Sequence, residues 1–220
     1  MNLADSQPPA AFGLLLFTRY PEPGRTKTRM IPHLGPEGAA ALQRAMTEHV
    51  LGQVTTAAQQ LPLAIEVHFA GGTEAQMQGW LGDHITYYPQ GEGDLGAKLA
   101  AAFEQTFRHK LAAGRKGAIA IGSDCPALGT AHLAAALKAL QSADVVLGPA
   151  TDGGYYLIGL RQPQPALFEA IAWGTGQVLA QTLAAATAQG LAIELLTPLT
   201  DIDRPEDLPQ WEQILANAAP

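Results

Sequence analysis

The chain has 220 residues and a formal net charge of −7, and 47% of its residues are hydrophobic. This length suits one globular domain with a large core, and the acidic balance disfavours general binding to nucleic acid or to anionic membranes. A single cysteine excludes an internal disulfide, and no run approaches the ~18 consecutive apolar residues of a membrane span. We therefore expect a cytoplasmic protein with one domain, 1–220, of which residues 1–10 form a disordered lead.

Short apolar runs alternate with segments of helical periodicity along the whole chain. This alternation predicts an α/β sheet with helices on both faces. A turn at Asp152 followed by an apolar run predicts an added hairpin or antiparallel strand. The predicted strands are 12–17, 63–69, 84–88, 118–121, 143–149, 155–160 and 191–196. The predicted helices are 36–61, 74–81 and 130–141, with others beginning near Asp94, Thr175 and Pro205.

The run 118–121 is the most informative strand, because a carboxylate follows it closely. Pro126 prevents the strand from continuing past Asp124, and Thr130 is a good N-cap for the next helix. Open α/β sheets bind their ligands at the carboxyl ends of their strands. Asp124 is therefore a candidate cation ligand, and a turn or capping aspartate is the alternative. Cys125 has no histidine near it in sequence, so we predict that it packs in the core.

A basic loop, residues 18–29, follows the first strand. It carries Arg19, Arg25, Lys27 and Arg29, four of only 13 basic residues, together with threonine hydroxyls and Gly24. Donors on a turn where a glycine lets backbone N–H groups approach are what an anion site requires. The alternative is a solvated basic loop. The loop lacks the glycine spacing of a Walker A motif, and no dinucleotide fingerprint follows the strand.

Further carboxylates follow other strands. Asp201 and Asp203 lie two apart in an extended segment and so point the same way. With Asp124 they could hold Mg²⁺ (or Mn²⁺), completed by substrate phosphates. The alternative is that 201–207 is only a capped helix start. Asp94 fits an N-cap and a ligand-facing residue equally well.

Six blocks of sequence carry a family resemblance, namely 21–29, 93–96, 122–128, 148–156, 173–175 and 201–208. In this order they resemble the signature blocks of DUF2064, a family with the GT-A fold that is often labelled glycosyltransferase-like. The family is similar to the 2-phospholactate guanylyltransferase and molybdenum-cofactor guanylyltransferase groups. The resemblance implies a three-layer α/β/α, nucleotide-diphospho-sugar transferase-like, Rossmann-type fold with a mostly parallel sheet and a small antiparallel addition.

The same resemblance assigns roles to residues. It implies catalytic roles for Lys27 and Asp124, and a metal bound by Asp124, Asp201 and Asp203. It places the nucleotide and its phosphates on Gly24, Arg25, Lys27, Thr28, Arg29, Asp94, Leu95 and Gly96. It places the acceptor against Asp152, Gly153, Gly154, Trp173 and Thr175. Arg19, Tyr20 and Arg204 depart from the usual family residues and leave the acceptor's identity open.

We thus expect a Mg²⁺-dependent transferase that moves a nucleotidyl group from a nucleoside triphosphate to a small phosphorylated or carboxylated acceptor. The alternatives are a glycosyltransferase that uses a nucleotide-sugar and a nucleotide-binding module without catalysis. The expected partners are a nucleotide or nucleotide-sugar and a small-molecule acceptor, without nucleic acid or membrane. The sequence leaves a homodimer open.

Overall fold

A mixed sheet organises the computed structural model, which describes residues 11–113 and 116–218. The predicted lead, 1–10, lies outside the described residues. Within them the sheet has seven strands in the order β3-β2-β1-β4-β6-β5-β7. Only β6 runs antiparallel to its neighbours, so the predicted mostly parallel sheet with an antiparallel addition is confirmed. The strands are β1 (Phe12–Arg19), β2 (Leu63–Ala70), β3 (Thr86–Pro89), β4 (Gly117–Gly122), β5 (Val145–Pro149), β6 (Tyr155–Leu160) and β7 (Ile193–Leu195).

The helices connect these strands and begin close to the predicted positions. They are α1 (Ile31–Ala58), α2 (Glu74–Leu81), α3 (Leu95–Ala113), α4 (Thr130–Ala139), α5 (Val178–Ala188) and α6 (Leu208–Ala218). Gly35 has a positive φ of 71° and interrupts α1, so the regular helix starts at Pro36 as predicted, after one additional turn. The N-cap prediction for Thr130 is wrong, because Gly129 holds that position and Thr130 is the first helical residue. A 3-10 turn, Pro205–Asp207, precedes α6.

Both faces of the sheet are buried, which makes the molecule three-layered. Leu14 and Leu16 of β1 pack into the cluster that includes α1, α2 and α4. Leu15 and Phe17 point to the other face and pack into the cluster that includes α3 and α5. Because β1 is covered on both faces, its sequence is a nearly continuous apolar run.

A third apolar cluster fixes the segments that surround the candidate site. Met30, from the end of the basic loop, packs with Leu42 and Met46 of α1, with Trp211 of α6 and with the fully buried Ile202. The basic loop and the segment 201–203 are therefore held against each other although about 175 residues separate them in sequence.

A buried polar network joins the basic loop to the ends of β1 and β4. The Gln43 amide of α1 donates to the hydroxyls of Thr18, Thr47 and Ser123, and its oxygen accepts from Thr26 at 3.3 Å. All five side chains are buried. Because an unsatisfied buried polar group costs about 1–3 kcal/mol, the members of this network constrain one another's positions.

Candidate active site

A cavity of about 710 Å³ lies at the carboxyl edge of the parallel strands. Twelve of the sixteen predicted site residues line it: Arg25, Lys27, Thr28, Arg29, Leu95, Asp124, Asp152, Gly154, Trp173, Thr175, Asp201 and Asp203. The other four, Gly24, Asp94, Gly96 and Gly153, lie outside the lining. A larger cavity of about 1250 Å³ lies at the opposite edge, beside Phe12 and Lys116, and none of the predicted site residues lines it. The topology thus brings together at one edge residues that are distant in sequence.

Lys27 lies at the centre of the charged part of this cavity. Its ammonium is 2.9 Å from Asp124 Oδ1 and 3.8 Å from Asp203 Oδ1, and it donates to the Ile202 carbonyl at 2.5 Å. Only 3% of its side chain is exposed. Its backbone is left-handed, with φ and ψ both 45°, which is unfavourable for a residue with a side chain. The ion pairs and the carbonyl contact hold the lysine in this conformation.

The other basic residues of the loop are placed differently. Arg29 pairs with Asp203, which also faces Lys27. Arg25 is 72% exposed, and its guanidinium lies 3.5 Å from the Glu22 carboxylate. The loop therefore directs two cations, Lys27 and Arg29, at carboxylates of the protein, while Arg19 and Arg25 also line the cavity.

Four carboxylates that line the cavity influence one another. The pKa of Asp201 is raised above its ordinary value of 3.8, first by partial burial and then by the negative charges of Asp152, Asp203 and Asp124. Lys27 and Arg29 pair with two of the four, Asp124 and Asp203. Alternation along the extended segment explains the geometry, since Ile202 points into the core while Asp201 and Asp203 line the cavity. A further positive charge beside Asp201 would stabilise its ionised form.

These residues fit a hard divalent cation by their chemistry, because carboxylate oxygens are its preferred ligands. Among residues 11–113 and 116–218, however, no three His, Cys, Asp or Glu side chains converge closely enough to form a complete metal site. Mg²⁺ is usually bound through only one or two carboxylates, with water and substrate phosphates completing its coordination. Asp124, together with Asp201 or Asp203, could supply these one or two protein carboxylates.

Cys125 belongs to the core beneath the cavity. Its side chain is buried, and its thiol donates to the Thr200 carbonyl at 3.4 Å. Burial, followed by the charges of Asp201 and Asp124, raises the pKa of Cys125 to about 12. A thiol with this pKa stays protonated at neutral pH and is not a nucleophile. The predicted packing role is confirmed.

The block 93–96 builds the start of α3. Asp94 Oδ1 accepts from the Ala97 N–H at 2.8 Å, which makes Asp94 the N-cap. A Cβ on Gly96 would lie 2.4 Å from the Phe168 carbonyl oxygen and 2.5 Å from Trp173 Nε1. Gly96 is therefore required for α3 to pack against Trp173. Leu95 is 44% exposed and is the member of this block that faces the cavity.

The turn after β5 forms the opposite wall. Asp152 Oδ1 accepts from the Gly154 N–H at 2.8 Å. A Cβ on Gly153 would lie 2.2 Å from the Gly176 carbonyl oxygen, and its φ is +90°, so this position requires glycine. The Thr175 hydroxyl donates to the Ala172 carbonyl at 2.7 Å and stabilises the neighbouring loop. These contacts constrain the conformation of the turn, and Asp152, Trp173 and Thr175 line the cavity.

Several residues of the site were not singled out from the sequence. Gln43 and Thr47 lie four apart beside the apolar stripe of α1, and such a polar pair at helical spacing could have indicated a buried network. Gln90, Tyr155 and Tyr156 line the cavity, but no local pattern marks them.

The three residues that depart from the family pattern lie at different distances from the cavity. Arg19 lines it. Tyr20 packs on Gly72 and makes an edge-to-face contact with Trp80, outside the lining. Arg204 lies outside the lining as well, and its backbone N–H donates to Asp207.

Comparison with solved structures places this fold among nucleotide-handling proteins. A Desulfovibrio desulfuricans G20 protein, provisionally assigned as a nucleotide-diphospho-sugar transferase, is 30% identical with a TM-score of 0.81, covering 89% of this chain and 83% of its own. CMP:2-keto-3-deoxy-manno-octonic acid synthetase complexed with CTP has a TM-score of 0.58 at 12% identity over 94% of this chain and 99% of its own. The 4-diphosphocytidyl-2C-methyl-D-erythritol synthase of Anaerococcus prevotii DSM 20548 has a TM-score of 0.58 at 11% identity over 93% and 98%.

The remaining findings concern membrane-spanning helices, curated relatives and the protein family. None of the helices in the described part of the chain combines the length and the apolar character needed to cross a bilayer. A search of curated proteins gave no match. The model of the family described as "Uncharacterized protein conserved in bacteria (DUF2064)" matches residues 53–175, which span more than half of the sequence and include the strand before Asp124 and the Asp152 turn. This match shows that the chain belongs to the DUF2064 family.

Proposed function

We propose that this protein is a Mg²⁺-dependent nucleotidyltransferase, which moves a nucleoside monophosphate from a nucleoside triphosphate to a small phosphorylated or carboxylated acceptor. One observation carries the proposal: Lys27 and Arg29 meet Asp124 and Asp203 in a single cavity at the carboxyl edge of the sheet. One bound nucleotide could therefore contact the cations through its phosphate oxygens and, at the same time, a metal held by the carboxylates. Phosphoryl-group chemistry needs this combination because its transition state spreads negative charge over oxygen atoms.

In this proposal the acceptor oxygen attacks the α-phosphorus directly, and pyrophosphate leaves with the electrons of the broken P–O bond. The Cys125 thiol lines the cavity but is buried and protonated, so it does not serve as a covalent nucleophile in this scheme. A divalent cation on Asp124 with Asp201 or Asp203 would neutralise phosphate charge. Lys27 and Arg29 would donate to the phosphates, and the exposed Arg25 would contact the leaving pyrophosphate. Asp152, Trp173 and Thr175 would position the acceptor.

A second candidate, glycosyl transfer from a nucleotide-sugar, is favoured by a different observation. The 30% identical Desulfovibrio protein is provisionally assigned to the nucleotide-diphospho-sugar transferases. The same carboxylates and cations would then stabilise a nucleoside diphosphate leaving group. The concentration of basic residues in the loop after β1 favours the triphosphate, because pyrophosphate departure develops more charge.

Ligand binding is the first test. Melting temperature would be measured with CTP, UTP, ATP, GTP, UDP-glucose and GDP-mannose, each with Mg²⁺ and with EDTA. A ligand at 100 times its Kd stabilises the native state by about 2.7 kcal/mol, which corresponds to roughly 5–10 °C for a chain of this size. We expect such a shift from a nucleoside triphosphate with Mg²⁺ but not with EDTA. A shift from nucleotide-sugars only would reject nucleotidyl transfer.

Product analysis is the second test and separates the readings. The ligand that binds would be incubated with a panel of sugar phosphates, phospho-acids and hydroxy acids. Nucleotidyl transfer releases pyrophosphate, and glycosyl transfer releases a nucleoside diphosphate. Binding without either product across the panel would support the non-catalytic module.

Lys138→Ala and Asp83→Asn serve as charge-matched controls for variants of Lys27 and Asp124. Both positions are exposed and lie outside the lining of the candidate active site.

A further inference from the structure

Gln90 extends across the ends of three strands at one end of the cavity. It follows β3 directly, and its backbone N–H donates to the Phe69 carbonyl of β2. Its side-chain Nε2 donates to the His68 carbonyl at 2.9 Å and to the Thr18 carbonyl at 3.1 Å. Both hydrogens of the amide are therefore used by the backbone of β1 and β2.

These two contacts fix which way the amide faces. The oxygen and nitrogen of a glutamine can often be interchanged without changing the fit of the side chain. At Gln90 the interchange would place Oε1 against two carbonyl oxygens, so only one orientation is favourable. Oε1 then receives no hydrogen bond from any residue in the described ranges, and Gln90 lines the cavity. Gln90 consequently offers a ligand an acceptor and no donor.

The surroundings of Gln90 differ from the charged end of the cavity. Leu95 and Leu99 of α3, Phe17 of β1 and Ala70 of β2 line the cavity together with it. The carboxylates and Lys27 lie instead at the ends of β4 and of the 201–203 segment. Arg19, which pairs with Ala70 in the register of β1 and β2, lines the cavity as well, so this wall combines apolar side chains with the Gln90 amide and one cation. Apolar side chains with a few fixed polar groups suit the flat ring of a nucleobase, while the charged end suits its phosphates.

We propose that Gln90 is a specificity-determining residue that selects a nucleobase carrying an exocyclic amino group over one carrying a carbonyl at the same position. This inference rests on the proposed function. An amino group donates to Oε1, whereas a carbonyl would face an acceptor that cannot rotate to present its N–H groups. Repulsion between the two oxygen atoms and loss of the hydrogen bond both weaken binding of the base that carries the carbonyl.

Matched nucleotides test the selection in the wild-type protein. Kd would be measured calorimetrically with Mg²⁺ for CTP against UTP, ATP against ITP, and GTP against XTP. CTP and UTP differ at position 4, ATP and ITP at position 6, and GTP carries a 2-amino group where XTP carries a carbonyl. We expect the preferred amino nucleotide to bind roughly 10- to 100-fold more tightly than its partner, the range that one unsatisfied polar group produces.

Gln90→Met tests whether this residue is the cause. Methionine has a similar length and neither donates nor accepts strongly, so we expect the ratio between the matched nucleotides to fall below about threefold. Gln60→Met, at an exposed position outside the cavity lining, should keep the wild-type ratio. Gln90→Leu repeats the test with a second side chain if the methionine variant is unstable.

The outcomes separate the inference from the proposed function. Equal binding of the matched nucleotides, preference for UTP, or unchanged selectivity in Gln90→Met would each overturn the role of Gln90 while leaving nucleotidyl transfer intact. If no nucleotide or nucleotide-sugar binds, the proposed function fails and the inference fails with it.

Discussion

At the residue scale, the ammonium of Lys27 lies between two carboxylates that line the cavity. It contacts Asp124 and Asp203 while its backbone adopts a conformation that is costly for lysine. Residues held in sparsely populated backbone regions cluster at functional sites, because the surrounding structure must hold them there. The conformation thus supports a functional role for Lys27.

Replacing Lys27 should separate chemistry from folding. We expect Lys27→Ala to lower kcat by about 10²–10³-fold, since it removes a positioned donor for developing phosphate charge. Asp124→Asn should have a comparable effect through loss of the proposed metal ligand. Lys138→Ala and Asp83→Asn, measured in the same steady-state assay, should retain wild-type kcat. Normal turnover in folded Lys27→Ala would refute the assignment.

Cys125 permits a prediction about pH. Its pKa is raised from 9.0 to about 12 in the folded protein, so the neutral thiol is the favoured form. Between pH 9 and 12 the thiol ionises in the unfolded chain before it does so in the folded one. Its contribution to folding stability is therefore complete below pH 9 and is lost as pH rises through this range. In urea denaturation, Cys125→Ala should show a shallower alkaline decline than the wild type, because Tyr155 and Tyr156, whose pKa values burial raises as well, still contribute to it.

The same property is visible in thiol chemistry. Native protein at pH 8 should react with iodoacetamide far more slowly than protein unfolded in urea, because the thiolate is the reacting form. Labelling would be followed by mass spectrometry. Equal labelling rates in the two states would contradict the burial of Cys125.

At the element scale, the contact between the start of α3 and Trp173 joins the two walls of the cavity. A side chain at Gly96 would overlap the Phe168 carbonyl and the Trp173 ring. By contrast, Gly52 in the middle of α1 has open space where a Cβ would lie. The two helical glycines therefore provide a matched pair.

We expect Gly96→Ala to destabilise the protein by about 1–3 kcal/mol, the usual cost of overpacking, and to weaken nucleotide binding. Gly52→Ala should stabilise it by roughly 0.5–1 kcal/mol, because alanine favours the helix. Urea denaturation measures both changes. If Gly96→Ala is as stable as Gly52→Ala, the packing of α3 against Trp173 is less close than described.

The elements also show where sequence reasoning succeeds and where it stops. Asp124, Asp201 and Asp203 were predictable as neighbours, because carboxyl ends of parallel strands meet at one edge of a sheet. The capping role of Asp94 was one of two alternatives and needed the Ala97 contact to decide it. Gln90 could not be found in this way, since its amide contacts depend on the pairing of strands that are distant in sequence.

At the scale of the whole molecule, the site is assembled across the third apolar cluster. Met30, Ile202 and Trp211 bring together the loop after β1, the segment after β7 and the last helix. Trp211 does not line the cavity. Its packing nevertheless fixes the backbone that carries the Ile202 carbonyl, which accepts from Lys27.

Trp211→Ala should therefore affect stability and ligand binding together. We expect a loss of about 3–5 kcal/mol in unfolding free energy and a nucleotide Kd at least severalfold weaker. Leu137→Ala, in the core under α4, should cost about 2–5 kcal/mol but leave the Kd of the folded fraction unchanged. Calorimetric titration at a temperature where both variants are folded provides the comparison. Unchanged affinity in Trp211→Ala would show that the cluster supports the fold alone.

The reversed strand β6 separates two of the aspartates that line the cavity. It lies between β4 and β5, so the strands that precede Asp124 and Asp152 are two strand spacings apart, about 9.6 Å. β6 begins where its neighbours end, with Tyr155 and Tyr156 between the two aspartates. The two tyrosines face opposite sides of the sheet, since Tyr155 packs with Trp173 on the side of α3 and α5, and Tyr156 packs on the side of α1 and α4. A molecule that contacts both aspartates must therefore span the whole width of β6 between them.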